Sequence, residues 1–356
     1  MKKENKPALS VFVLFYNHEK FVTTCLESVF SEDLSGVEVI ISDDCSADST
    51  FGICKKYIST KKSNASRVLL NRNRKNLGIN AHVNKLVDLA NADVFLPLAG
   101  DDWFARDKIQ RIKKEIQKSK YSMYVSDCYI ANSEGIVIKE YNFNDKKPWP
   151  ALKIAENGGA NIPGHSQAVW RRELFSFFGP LDEKILNEDD QLVFRAMLLN
   201  GICVINEPLN HYRLHPESVS SWWKNPDIDY RSYIKKYIAI MSNIENTYVG
   251  WLIAAEVACK KGRISEAEHE LYVQTISDSI REIVALRNVL DAPSFFRRVM
   301  ISLKKIPSLR NRYSLVRLTA TISPGLLYVK MYLRGKIRKL YYRFIRNPVS
   351  ASSRKV

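Results

Sequence analysis

The 356-residue sequence predicts an α/β fold with a parallel sheet at its centre, and three observations carry that expectation. Strand-length apolar runs and helical patterns alternate three times before Asp101, the signature of parallel strands joined by crossover helices. The runs beginning at Leu9, Val37 and Val94 are predominantly apolar, as in strands covered on both faces. Each of these runs ends at polar or acidic residues, and ligands bind at the carboxyl ends of strands in open α/β sheets.

Leu9 to Tyr16 is an apolar, β-branched and aromatic run ending at Asn17-His18. Phe21, Val22, Cys25, Leu26 and Val29 follow at helical spacing. Val37 to Ser42 makes a second buried strand, terminating in Asp43-Asp44-Cys45-Ser46-Ala47-Asp48. A carboxylate there can accept hydrogen bonds from a nucleotide, and Ser46 can cap the next helix; taken alone, the acids read as turn and cap residues. Arg67 to Leu70 begins a third unit, followed by a basic turn, Asn71 to Asn76. After Gly78, Ile79, Val83, Leu86, Val87 and Ala90 give a helix one apolar face.

Val94 to Trp103 then runs Val-Phe-Leu-Pro-Leu-Ala-Gly-Asp-Asp-Trp, an apolar strand stopping at two carboxylates. Adjacent acids on a tight turn repel each other and suit a hard cation such as Mg²⁺ or Mn²⁺. They equally suit a cap for the helix expected near Ala105, and spacing alone does not choose. A basic amphipathic helix, roughly 106–120, leads to a strand-like run from Tyr121 to Val125. Asp127 to Asn161 reads as a long polar loop with Pro148-Trp149-Pro150 and Gly158-Gly159 as breakers, the kind of loop that carries specificity.

Glu188, Asp189 and Asp190 precede a helical pattern through Leu192, Val193, Ala196, Met197 and Leu199, and in isolation read as a charged first turn. Val204 to Leu209 gives a short strand, followed by His211-Tyr212-Arg213-Leu214-His215. From about residue 227 to Leu290, periodic apolar residues suggest two or three helices. The expected organisation is a catalytic domain over 1–225, a helical extension over 226–292 and a basic amphipathic tail over 293–356.

The net charge of +16 is concentrated in that tail: 16 Lys and Arg lie from Arg297 onward with no acid among them, leaving 38 basic against 38 acidic residues upstream. With Phe295, Phe296, Tyr328, Tyr332, Tyr341 and Tyr342 interleaved, the tail fits an anionic membrane surface. No nucleic-acid motif accompanies the charge, so nucleic acid is not expected as a partner. The six cysteines show no paired or zinc-ligand spacing and no secretory signal pattern precedes them, so they are expected to be reduced thiols of a cytoplasmic chain. No apolar run approaches the roughly 20 residues of a spanning helix. The expected location is peripheral, on the inner face of the cell membrane.

Tyr16-Asn17, Ser42-Asp43-Asp44-Cys45-Ser46-Ala47-Asp48, Asn76-Leu77-Gly78 and Leu98-Ala99-Gly100-Asp101-Asp102, in this order, resemble the nucleotide-binding half of family 2 glycosyltransferases. The resemblance covers roughly Leu9 to Ser220 and implies the GT-A (Rossmann-like) fold: a mixed sheet flanked by helices, here with a C-terminal helical extension. It implies donor binding by Tyr16, Asn17, Asp43, Asp44, Asn76, Gly78, Asp101 and Arg213, and a Mg²⁺ or Mn²⁺ ion held by Asp101 or Asp102. Ala99 departs from the family, which often has an acid there, and His215 is read as completing the cation's shell.

Glu188-Asp189 resembles the family's Glu-Asp catalytic motif, with Asp189 as the base. A sugar hydroxyl is a poor nucleophile near neutrality, so a carboxylate must take its proton as the new bond forms. The implied function is an inverting transfer from a nucleoside diphosphate sugar, UDP-sugar first, to a glycan or lipid-linked acceptor in bacterial surface polysaccharide synthesis. The alternative is a non-catalytic nucleotide-sugar-binding or scaffold subunit.

Overall fold

The computed structural model describes residues 6–143, 147–160, 167–185, 188–215 and 229–292. The basic tail and residues 161–166 and 216–228 lie outside them. Chain contacts divide the protein into two compact units, residues 1–213 with 246–278 and residues 214–245 with 279–356. The two long C-terminal helices thus each contribute to both units.

The first unit is built on one mixed sheet. Its strands are β1 (Leu9–Phe15), β2 (Val37–Asp43), β3 (Arg67–Arg72), β4 (Val94–Ala99), β5 (Trp103–Phe104), β6 (Met123–Ala131), β7 (Val137–Tyr141), β8 (Ala168–Arg171) and β9 (Ile202–Arg213). They lie in the order β3-β2-β1-β4-β8-β6-β9-β5, with β7 paired to β6. The first four are mutually parallel, β8 runs against β4, and β6 and β9 again run with β4. The carboxyl ends of β1, β2, β4 and β9 therefore share one edge of the sheet.

Every residue of β1 and β2 is buried, the polar Ser10, Glu38, Ser42 and Asp43 included. One face of β1, β2 and β4 packs against α1 (Val22–Phe30) through Val22, Cys25, Leu26 and Val29, and against Ile109 and Ile112 of α4 (Lys108–Lys118). The helices α2 (Thr50–Thr60) and α3 (Ile79–Leu89) complete the alternating half.

The segment from Asp127 to Asn161 differs from its reading as a loop. It holds the second half of β6, the edge strand β7 and helix α5 (Ala151–Asn157). β7 escapes apolar pattern recognition because four of its five residues are exposed at the sheet edge. β9 is also longer than expected, running on through His211-Tyr212-Arg213, because β6 pairs with it as far as Arg213 and the two-residue β5 pairs with it at Trp103–His211 and Phe104–Asn210. Two short helices follow β7 and α5 in the chain, α6 (Glu173–Ser176) and α7 (Glu188–Leu198), before the long α8 (Tyr230–Lys260) and α9 (Glu266–Asp291). All six cysteines are free thiols. Among the described residues no helix is long and apolar enough to cross a membrane.

One charge within the sheet is wholly internal. Glu38 of β2 is fully buried and accepts hydrogen bonds from the Ser10 hydroxyl (2.5 Å), Arg67 (2.6 Å) and both the backbone and side-chain amides of Asn91 (2.9 and 2.8 Å). Burial pushes its pKa up, but these donors outweigh burial and hold the carboxyl below its usual 4.5. Its contribution to stability is therefore full above pH 4.5 and is lost as pH falls through the lower folded-state value. Glu38→Ala is expected to cost about 3 kcal/mol at pH 7 by urea unfolding, because Arg67 and Asn91 lose a buried partner. The gap to wild type should narrow below pH 4.5.

Candidate active site

The site is assembled from turns at the shared strand edge. Tyr16, directly after β1, is 45% exposed. Asn17 (φ 55°) and Cys45 (φ 64°), one after each of β1 and β2, are two of the three non-glycine residues with positive φ among the described residues. The turns interlock: the Asn17 N–H donates to the Ser46 hydroxyl (2.8 Å), and Asn17 Oδ1 accepts from the Ala47 N–H (2.9 Å). Ser46 does not cap α2, whose N-cap is Ser49; its hydroxyl donates to Asp43 instead.

Asp43 and Asp44 are both buried. Asp43 takes the Ser46 hydroxyl, the Ser46 N–H (3.1 Å) and the Arg72 guanidinium (3.3 Å), so it closes its own turn. Asp44 reaches the next unit. It accepts from the Asn73 amide (2.7 Å), from the Leu77 N–H at both oxygens (2.9 and 3.1 Å) and from the Gly78 N–H (3.0 Å). Gly78 opens α3 at φ 78°, ψ 164°, a conformation open essentially only to glycine. Asn76, exposed beside it, accepts the same Gly78 N–H at 2.8 Å.

At the end of β4, Asp101 is part-exposed and Asp102 is 2% exposed. Neither caps α4: its N-cap is Asp107, with left-handed backbone and no side-chain capping bond. Asp102 accepts the Arg213 N–H (2.9 Å), while Arg213 Nε donates to the Asp101 carbonyl (2.8 Å) and Nη1 to the Ser133 carbonyl (3.1 Å). The guanidinium lies between the Phe21 and Trp103 rings, 4.7 and 4.5 Å from their centroids. Trp103 stacks in turn on His211 at 4.7 Å, and His211 on Tyr129 at 4.9 Å. Burial pulls the Arg213 and His211 pKa values down, against Asp102 and Asp101 in the case of Arg213.

A second cation lies deeper. Lys108 is wholly buried, donates to Asn210 Oδ1 and sits 4.6 Å over the Phe104 ring. Burial brings its ammonium down to about 7, opposed first by the Asp102 charge. The Cys25 thiol, beneath the same turn, is pushed well up by burial and then by Asp102 and Asp101, so it is an inert packing group.

Glu188, Asp189 and Asp190 form the first turn of α7, with Glu188 buried and the other two part-exposed. α7 precedes β9 in the chain. Trp251 Nε1 donates to the Asp190 carbonyl at 2.9 Å.

Hydrogen bonds thus join the turns carrying Asn17, Asp43, Asp44, Asn76 and Gly78, and separately join Arg213 to Asp101 and Asp102. Leu214 and His215 begin the second compact unit. Sequence reading passed over Trp103, Tyr129 and Lys108, whose roles come from pairing and burial. It also passed over Asn80 and Asn84, for which a signal exists: amides four residues apart beside the apolar stripe of α3.

Among the described residues no group of three or more His, Cys, Asp and Glu stands at ligating distance. A part-exposed Asp101 with a buried, already bonded Asp102 fits a hard divalent cation that takes one or two carboxylate oxygens and completes its shell with phosphate and water.

A mixed sheet of this topology flanked by helices is a fold of the GT-A type. Residues 10–178 match glycosyl transferase family 2. Among relatives, EpsH of Bacillus subtilis is 26% identical over 60% of this chain and 62% of its own length. The GalNAc(5)-diNAcBac-PP-undecaprenol beta-1,3-glucosyltransferase of Campylobacter jejuni is 26% identical over 51% of this chain and 56% of its own length. The chain spans less than two thirds of either relative. The crystal structure of S. aureus TarS 1–349 in complex with UDP-GlcNAc superposes with a TM-score of 0.52 at 18% identity, covering 83% of this chain and 91% of that one, and so shares the fold.

Gly100 has no room for a side chain: a Cβ there would overlap the Phe15 ring and lie 2.6 Å from His18 Nδ1. Gly100→Ala is expected to destabilise the fold by about 2 kcal/mol in urea unfolding, the scale of overpacking a buried site.

Proposed function

We propose that this chain is an inverting glycosyltransferase that moves a sugar from a nucleoside diphosphate donor, a UDP-sugar first among them, to a hydroxyl of a glycan or lipid-linked acceptor in surface polysaccharide synthesis. The observation that carries the reading is the hydrogen-bonded convergence of the acidic turns on one sheet edge, with Asp44 closing the Leu77–Gly78 turn and Arg213 closing Asp101–Asp102. The undecaprenol in the name of the Campylobacter relative supports the lipid-linked acceptor.

The nucleotide lies along the rim formed by Tyr16, Asn17, Asn76 and Gly78, whose shape Asp43 and Asp44 maintain from within. Asp101 is assigned as the carboxylate that holds Mg²⁺ or Mn²⁺, with Asp102 and Arg213 fixing its turn. The bound cation would supply positive charge against the negative charge that gathers on the departing diphosphate. Asp189 takes the acceptor hydroxyl proton as its oxygen bonds to the anomeric carbon and the bond to the diphosphate breaks, which inverts that centre. Glu188, buried at the same helix start, supports Asp189.

Asp189→Asn is expected to lower turnover of the best donor in a panel of nucleotide sugars by roughly 10³-fold, with UDP binding retained. Equal slow hydrolysis by wild type and variant would favour the scaffold reading.

The basic tail from Arg297 onward holds the enzyme on an anionic membrane, at roughly 1 kcal/mol for each engaged Lys or Arg. Deleting the residues after Leu290 is expected to abolish co-sedimentation with phosphatidylglycerol vesicles. Unchanged co-sedimentation would refute that attachment.

A further inference from the structure

Asn80 makes contacts that the donor and base assignments leave unused. It lies two residues after Gly78 in the first turn of α3 and is 2% exposed. The two N–H bonds of its amide go to the carbonyls of Asp182 (2.8 Å) and Ile185 (2.6 Å), more than 100 residues away in sequence. One turn further along α3, Asn84 pairs with the backbone of Leu181 in both directions: its Nδ2 donates to the Leu181 carbonyl (2.9 Å) and its Oδ1 accepts the Leu181 N–H (2.8 Å).

The other side of the 181–185 turn is held by α7. Gln191 Oε1 accepts the Asp182 N–H at 3.1 Å. The buried Arg195 donates to the carbonyls of Leu174 (3.1 Å), Gly179 (2.7 Å) and Pro180 (3.0 Å). Burial brings the Arg195 guanidinium down to about 10 against the pull of Asp182, as expected for a cation satisfied mainly by backbone carbonyls.

Hydrogen bonds therefore tie the Asp44 carboxylate to the Leu77 and Gly78 amides, the backbone of the first turn of α3 carries on to Asn80, and two further hydrogen bonds cross to the 181–185 turn that precedes Glu188-Asp189-Asp190. A carbonyl accepts from any well-placed donor, and a primary amide of this length offers two donors to two carbonyls from one helix position without bringing a charge. We propose that Asn80, seconded by Asn84, is a positioning residue that registers the acidic first turn of α7 against the nucleotide-holding turn, so that donor binding at Asn76–Gly78 and proton removal at Asp189 occur in one rigid frame. The proposal rests on the donor and base assignments above. Asn80 itself touches neither substrate in this scheme.

The test uses the full chain with Asn80→Ala, Asn80→Ser and Asn84→Ala, and Asp189→Asn as the control for the base. Donor turnover, UDP binding in Mn²⁺ and amide hydrogen exchange are measured on each. Asn80→Ala is expected to lower kcat about 100-fold, the scale of a misplaced catalytic group, while UDP affinity stays within about threefold. Exchange should quicken in peptides covering 181–185 and 188–191 and stay unchanged in β1 and β2. Asn80→Ser, whose hydroxyl restores one donor, should recover part of kcat, and Asn84→Ala should fall between. UDP should slow exchange at 188–191 in wild type and no longer do so in Asn80→Ala.

Unchanged exchange at 181–191 in Asn80→Ala overturns the proposal whatever the activity. A uniform rise in exchange with kcat and UDP affinity falling together, and no recovery in Asn80→Ser, also overturns it, reducing Asn80 to a folding contact. If Asp189→Asn keeps its turnover while Asn80→Ala uncouples the two turns, the base assignment fails and the coupling stands.

Discussion

The structure depends on a carboxylate that never leaves the interior. Asp44 stands at the end of β2 and accepts four hydrogen bonds, three of them from the backbone amides that open α3. Backbone N–H groups at a helix start have no partner within the helix and attract negative charge. A single acid from a neighbouring strand thus pairs the two amides at the entry to α3, the Gly78 amide being shared with Asn76, and sets where α3 begins. Gly78 makes this possible, because its backbone angles would strain any other residue.

The other half of the site follows the same logic with opposite charge. Arg213 ends β9, the last of these strands in chain order, and its backbone and guanidinium bond Asp102 and Asp101 in the turn after β4. A guanidinium is weakly hydrated and stacks well on aromatic faces, so its place between Phe21 and Trp103 holds a charge where a lysine ammonium would keep its water. The neighbouring stack of Trp103, His211 and Tyr129 crosses β5, β9 and β6, and explains why two residues after the acid pair suffice to form a strand. Asp102 thereby becomes an internal counter-charge for Arg213 and Lys108, and Asp101 is the more exposed of the pair.

The sheet was largely legible because parallel strands covered on both faces need runs such as Val37 to Ser42 that no other environment favours. The helices α1, α3 and α7 were legible through spacing alone. β7 was not, since its side chains face water and its pairing comes entirely from β6. The site was half legible: acids at strand ends announced themselves, while the partners of those acids did not. Asn73 lies in a basic turn that resembles any exposed loop, and Lys108 reads as one cation among several on an amphipathic helix until its burial is seen.

By itself the sequence determined the alternating strands and helices, the acidic ends of those strands and the concentration of charge in the tail, because each is a local property of pattern or composition. Only the tertiary structure decided what the carboxylates do. A hydrogen bond from Asn73 to Asp44, or from Arg213 to Asp102, joins residues 29 and 111 positions apart, and such distances are closed by sheet order and register and by no local preference. For the same reason Asp101 and Asp102, adjacent and chemically identical, differ: one backbone N–H donated by β9 draws the second inward and leaves the first toward solvent.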